Sequence, residues 1–248
     1  MILGAGLGSR LRPLTDHTPK ILVPVLETPM LGRLLGYLHH HGITQIAMNT
    51  HHLSQVVQDF LQTHDDAQLQ LFHEDTLLGT GGGIANIAPF WGNSPLLVWN
   101  GDILADLPPV QLATRQDRQK AVATLAVQER SGSSKLLVDD AGWLCGIDSV
   151  KRGITRTLRK PEGEMHPFAF QGISLLDSSL QPLMVEEARR TGGVFDLIDF
   201  LLQLVEAGHP ITTLNMAGFW GSSGTPAQIE ALEQGLQAQP ELLAQWEA

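Results

Sequence analysis

The stretch GAGLGSRLRPLTDHTPK, residues 4–20, gathers residues suited to holding an anion. Gly4, Gly6 and Gly8 are followed by Arg10, Arg12 and Lys20. Glycines let backbone N–H groups close around phosphate oxygens. Arginine adds a two-pronged donor and lysine a point charge. Two common phosphate loops do not match. A dinucleotide-binding turn needs a third glycine where Ser9 stands and a helix where Pro13 interrupts it. It also needs an acid at the end of the second strand, where AMNTHH offers Asn49. A Walker loop needs G-K-[ST], which does not occur. Two readings remain: an extended glycine loop that grips phosphate, or a surface loop with solvated charges.

Three other places carry chemistry-bearing residues. LLGTGGGI (77–84) is a second glycine loop, or a helix start that uses glycine for tight packing. Glu74, just before it, is either a carboxylate that can accept from a base or a solvated strand end. NGDIL (100–104) places Asp102 directly after an apolar run. Cys145, in GWLCGI, reads as packing, and a single cysteine excludes an internal disulfide and a Cys-rich zinc site. His39–His41 precede Gly42, where a helix should end, and histidines in a last turn suit the helix dipole.

The elements that must position these residues alternate. Strands are expected at the chain start and at 43–50, 69–74, 95–102 and 121–129. Helices are expected between them at 30–41, 53–64, 82–91 and 109–119. This rhythm predicts parallel strands with helices on both faces, joined by right-handed crossovers. After about residue 130 the pattern changes to a hairpin around Asp140-Ala141-Gly142 and a strand at 167–177. A helix at 196–210, a strand at 211–218 and a terminal helix capped by Thr225 with Pro226 at its first position complete the chain. The fold class is therefore α/β: a Rossmann-like mixed, mostly parallel sheet with a small antiparallel subregion. In such sheets ligands bind beyond the carboxyl ends of the strands. Residues 4–20, 73–83, 100–102 and 218–225 all follow strands, so they are expected at one mouth.

Composition narrows the partners. The 248 residues are 43% hydrophobic and carry a net charge of −10. That acidic balance argues against nucleic acid and membrane surfaces as partners, because both select clustered Lys and Arg. No apolar run approaches a membrane span, no secretory signal is visible, and the cytoplasm is the expected location.

The opening stretch, extended to GAGLGSRLRPLTDHTPKILVPV, resembles the N-terminal motif of sugar-phosphate nucleotidylyltransferases, G-x-G-x-R-x-x-P-L-T-x-x-x-P-K-x-x-x-P-V. It agrees at Gly6, Gly8, Arg10, Pro13, Leu14, Thr15, Pro19, Lys20, Pro24 and Val25. LLGTGGGI, NGDIL, FQGISLLD (170–177) and FDLIDFLLQLVEAG (195–208) extend the resemblance over nearly the whole chain. The resemblance implies one nucleotidyltransferase domain, with a nucleotide-binding half at 1–130 and a sugar-phosphate half at 131–248. It implies transfer of a nucleoside monophosphate from an NTP to a sugar 1-phosphate with release of pyrophosphate, assisted by Mg²⁺.

By the same resemblance, Arg10 neutralises the leaving phosphates, Lys20 meets the α-phosphate and the incoming sugar phosphate, and Asp102 holds the metal. The implied nucleotide set is Leu3, Gly4, Ala5, Gly6, Gly8, Ser9, Glu74, Gly79, Thr80, Gly81, Gly82 and Asn100. Lys160 in LRKPEG and Gly172 in FQGIS are the implied sugar-side residues. A carboxylate at Glu74 favours guanine, whose N1–H and N2–H₂ donate, so GTP is the expected nucleotide. Three departures stand out. The late motif W-x-D-x-G-T reads Trp220-Gly221-Ser222-Ser223-Gly224-Thr225, so Ser222 replaces the second metal aspartate. The lead-in Met1-Ile2-Leu3 is short for a central strand, which raises a truncated start as an expectation, and Ile21 follows Lys20 where many relatives have proline. Ser222 also motivates an alternative: a nucleotide-binding regulatory protein on the same fold with weakened turnover.

Overall fold

A computed structural model describes residues 1–63 and 69–246. The last residue of the expected helix at 53–64, His64, lies outside the described residues; the helix itself runs Ser54–Thr63. The chain forms two compact units, each assembled from separate stretches of sequence. The first comprises Met1–Leu77, Trp99–Asp106 and Gly218–Ala248, the second Leu78–Val98 and Leu107–Ala217.

The first unit is built on a parallel ladder. Ile2–Leu3 is its middle strand, with Leu3 opposite Asn49 on one side and Asn100 on the other. The strand Ile46–Thr50 then pairs in parallel with Leu69–His73, Thr50 opposite His73. Every residue of Ile46–Thr50 is buried, as befits a strand covered on both faces. The helix Met30–His40 buries Met30, Leu31, Leu34, Leu35, Tyr37 and Leu38. Tyr37 stacks on Trp246 with ring centroids 4.0 Å apart and meets Trp99 at 5.7 Å. The helix ends at His39 and His40, and Gly42 follows with φ +75, so the histidines occupy the last turn and the position after it. A short antiparallel pair, Ile103–Ala105 with Trp220–Ser222, brings the late chain to the Asp102 turn. The helix Pro226–Gln237 begins at Thr225, whose side chain accepts from the Gln228 N–H, the cap expected from sequence.

The second unit has a mixed ladder. Ala123–Gln128 pairs antiparallel with the long strand Met165–Leu176 and parallel with Ile211–Asn215. Met165–Leu176 continues onto Ser134–Asp139, and Leu144–Ser149 and Ile154–Thr157 add antiparallel strands. The hairpin turns at Asp140-Ala141-Gly142, where Gly142 has φ +86 and donates its N–H to Asp139 O at 2.9 Å. The parallel and antiparallel parts thus give the mixed α/β architecture expected from the order of elements.

Some boundaries differ for clear reasons. The helix expected at 82–91 starts on the glycines and divides into Gly79–Asn86 and Ala88–Trp91, with Pro89 in the second piece. A helix at Leu180–Thr191 was not legible, because only Leu180, Met184 and Glu187 of its twelve residues are buried and Pro182 stands in its first turn. Among the described residues, no helix is long and apolar enough to cross a membrane.

Cys145 is fully buried on the strand Leu144–Ser149, and its thiol faces Asp139 Oδ2 at 3.5 Å. Burial, and then the Asp139 charge, push the thiol up to about 12. The thiolate is the reactive form. Native protein at pH 8 is therefore expected to resist iodoacetamide under conditions that label the urea-unfolded chain fully, as read by intact mass.

Candidate active site

The first glycine loop is held by its own side chains. Gly8 has φ +63, and a Cβ there would lie 2.7 Å from Thr15 Cγ2, so both conformation and space require glycine. Gly8 O accepts from Thr15 Oγ1 at 2.8 Å and from Leu11 N at 2.8 Å. Beyond it the chain runs through three short 3₁₀ turns, Ser9–Leu11, Leu14–Asp16 and Lys20–Leu22, rather than a helix. This is why the dinucleotide pattern breaks at Ser9 and Pro13. Gly6, Ser9 and Arg10 are exposed, while Ala5 is buried.

Lys20 Nζ makes an ion pair with Asp102 Oδ2, with side chains 17% and 20% exposed. Asp102 sits on a tightly packed turn: Gly101 N–H donates to Leu3 O at 3.0 Å, and a Cβ at Gly101 would lie 2.6 Å from Ile21 Cδ1. Asp102 O in turn accepts from Ser223 N at 2.9 Å. Ser222, buried at 8% exposure, accepts from Gly224 N–H through its hydroxyl at 3.3 Å. A Cβ at Gly224 would meet Arg10 Nη2 at 3.0 Å and Ser222 Oγ at 3.4 Å, so the Arg10 guanidinium and the Ser222 hydroxyl both border Gly224. Arg10, Lys20, Asp102 and Ser222 therefore gather in one unit from distant parts of the chain. Two cations against one carboxylate leave this place net positive, which favours a polyanion.

The donor set bears on the implied metal. Asp102 offers a carboxylate and Ser222 a neutral hydroxyl; among the described residues no group of three His, Cys, Asp or Glu forms a metal cluster. Mg²⁺ is commonly bound by one or two carboxylates together with substrate phosphates. The residues present thus fit a cation that arrives on a triphosphate, and do not form a cage for a resident ion.

Glu74 is not a solvated strand end. It is 2% exposed, and its Oε1 accepts from Asn49 Nδ2 at 2.7 Å. Asn49 Oδ1 accepts from the Gly4 N–H at 2.8 Å. Asn49 thus joins the site, a role its sequence position disclosed only as a polar residue closing the strand Ile46–Thr50. Thr15 is the second such residue, visible in sequence only as part of P-L-T.

The remaining expected residues belong to the second unit. There Thr80 Oγ1 donates to Asp196 Oδ2 at 3.0 Å and accepts from Leu197 N at 2.8 Å. Gly81 N and Gly82 N donate to Phe195 O at 3.0 and 3.2 Å. A Cβ at Gly82 would lie 2.0 Å from Gly193 O, and one at Gly81 2.4 Å from the Phe195 ring. Close packing alone therefore demands glycine at both positions. Gly82→Ala is expected to lower the unfolding free energy by about 2–3 kcal/mol through overpacking, as read by urea denaturation. Lys160 is exposed. Its neighbour Arg159 lies over the Trp143 ring at 4.6 Å and reaches Glu162 Oε1 at 3.2 Å. Gly172 is buried with φ +75, inside a register shift of the long strand between Phe170 and Ser174.

The fold has close counterparts. The structure of UDP-glucose pyrophosphorylase complexed with UDP-glucose superposes with a TM-score of 0.71 at 17% identity, covering 97% of each chain. The family profile described as "Nucleotidyl transferase" matches residues 1–239, and the chain belongs to that family. N-acetylmuramate alpha-1-phosphate uridylyltransferase of Neisseria meningitidis is 40% identical over 110 residues, which cover 43% of this chain and 48% of the relative. The enzyme of the same name from Caulobacter vibrioides is 26% identical over 247 residues, covering 95% of this chain and 96% of that one. The chain spans 35%, 48% and 59% of the length of three curated relatives of 31–40% identity.

Proposed function

We propose that the protein transfers a nucleoside monophosphate from an NTP to a sugar 1-phosphate, releasing pyrophosphate. The observation that carries this reading is the Lys20–Asp102 pair set beside the glycine loop, with Arg10 and Ser222 both bordering Gly224. An oxygen of the sugar phosphate attacks the α-phosphorus, the bond to the bridging oxygen breaks, and pyrophosphate leaves with the electron pair. Crowding these anions and stabilising the leaving charge are the physical problems, and fixed positive charge answers both. Lys20 meets the α-phosphate and the sugar phosphate. Arg10 meets the departing β- and γ-phosphates. Ala5–Ser9 supply backbone N–H groups, Gly4 sets the start of the loop with its own N–H on Asn49, and Leu3 and Asn100 stand at the strand ends. Mg²⁺ bound to the triphosphate, held by Asp102 with Ser222 alongside, would neutralise phosphate charge.

The second glycine loop, Gly79–Gly82, serves the ribose and base. Lys160 contacts the sugar's phosphate and Gly172 leaves room for its ring. In this reading the nucleotide is served by residues 1–130 and the sugar phosphate by 131–248, and the reaction takes place in the cytoplasm. The base is uracil. Glu74 is the residue that favoured guanine, and its Oε1 is committed to Asn49 in a buried contact. A relative that matches end to end, from Caulobacter vibrioides, is named a uridylyltransferase.

A pyrophosphate-release assay pairing UTP, GTP and other NTPs with hexose and N-acetylmuramate 1-phosphates tests the proposal. UTP-dependent release that requires a sugar 1-phosphate is expected. Preference for GTP would return Glu74 to the base. Nucleotide binding without release in any pairing would favour the regulatory alternative motivated by Ser222.

A further inference from the structure

We propose that Glu74 is a positioning residue: acting through Asn49, it fixes the direction in which the first glycine of the loop presents its backbone. This deepens the proposed function, and rests on that reading for the identity of the ligand.

The contacts form a relay. Glu74 and Asn49 are 2% and 3% exposed. Asn49 Nδ2 donates to Glu74 Oε1 at 2.7 Å, and Gly4 N–H donates to Asn49 Oδ1 at 2.8 Å. The Gly4 N–H can only donate and the Glu74 carboxyl oxygen accepts, so together they select one of the two orientations of the Asn49 amide. The NH₂ must face Glu74, and the carbonyl oxygen is then left for Gly4. The opposite orientation would set donor against donor at Gly4. The relay is anchored at its far end. Glu74 N donates to Thr50 O at 2.8 Å, and Glu74 O lies 2.7 Å from His51 Nδ1, which must donate because a carbonyl cannot.

Gly4 has no slack to absorb an error. A Cβ there would lie 2.9 Å from Asn49 O and 3.1 Å from Met48 Sδ. Gly4 also leaves the middle strand directly, so its orientation sets the start of the loop that runs to Gly8. A buried carboxylate five residues before Gly79 thus controls the first glycine loop, rather than the base.

Exchange of donor and acceptor tests this directly. In Asn49→Asp the donor to Glu74 is lost and two carboxylates face each other at the relay, so their repulsion displaces the acceptor that Gly4 uses. UTP binding, measured by calorimetry without sugar phosphate, is expected to weaken about tenfold. Adding Glu74→Gln to Asn49→Asp restores one donor and one acceptor, and is expected to recover affinity to within about threefold of the parent. Glu74→Gln alone is expected to weaken UTP and GTP binding by the same factor, because the base is not read there. A double variant that binds no better than Asn49→Asp, with all variants folded by circular dichroism, overturns the proposal. So does a changed UTP-to-GTP ratio in Glu74→Gln, which folds with its hydrogen-bonding capacity kept. Binding is read without turnover, so failure of pyrophosphate release in the parent would overturn the transferase reading while leaving the relay testable.

Discussion

Lys20→Met is expected to lower kcat/KM for the NTP by about 10²–10³-fold, a loss of about 3–4 kcal/mol of transition-state stabilisation. Methionine keeps most of the length and apolar stem and removes only the charge. Lys20 is the cation nearest Asp102, and its side chain is only 17% exposed, so water cannot replace it fully. The charge balance gives a second signature. Without Lys20 the Asp102 carboxylate has lost its partner, so affinity for Mg²⁺ in the absence of nucleotide should rise or hold while nucleotide affinity falls. Opposite movements of the two affinities separate a lost cation from a collapsed site, which would weaken both. Calorimetric titration with Mg²⁺ alone and with UTP alone provides the two readings. Equal activity of Lys20→Met and the parent would remove the observation on which the proposed function rests.

Ser222→Asp is expected to lower the Mg²⁺ concentration needed for half-maximal rate by about tenfold, because a carboxylate is a far better ligand for a hard cation than a neutral hydroxyl. The position is well placed for this. Ser222 pairs with Ile103, the residue after Asp102, and Ser223 N holds Asp102 O. The Arg10 guanidinium borders the same Gly224 and offsets part of the cost of placing a carboxylate where Ser222 is 8% exposed. A gain in maximal rate together with the lower Mg²⁺ requirement would mark the parent as a weakened catalyst. An unchanged Mg²⁺ requirement would mean that Asp102 and the substrate phosphates suffice.

Much of the first unit's chemistry was legible because it is local. Gly8 must be glycine for its left-handed backbone and for the space beside Thr15, and both constraints leave a mark in the motif itself. Gly101 and Asp102 are the first two residues after the strand Leu96–Asn100, so an alternation of apolar and polar runs is enough to place them at a strand end. The helix cap at Thr225 is likewise set by residues within three positions of each other. Gly79–Gly82 show the limit of such reading. Their spacing suits a phosphate loop and a packed helix start equally, and the tight approach to Gly193 and Phe195 depends on a turn more than a hundred residues away.

What the sequence by itself determined is the family motif, the order of strands and helices, and the residues that each strand end presents. Those follow from short-range sterics and periodicity. The tertiary structure decided the partners. Glu74 faces Asn49 because Thr50 stands opposite His73 in the parallel ladder, and no local signal encodes that register. Ser222 comes next to the Asp102 turn because the late strand Trp220–Ser222 folds back onto Ile103–Ala105. A buried polar group must find its hydrogen bond wherever the fold brings a complement, and that choice is made by chain register rather than by composition.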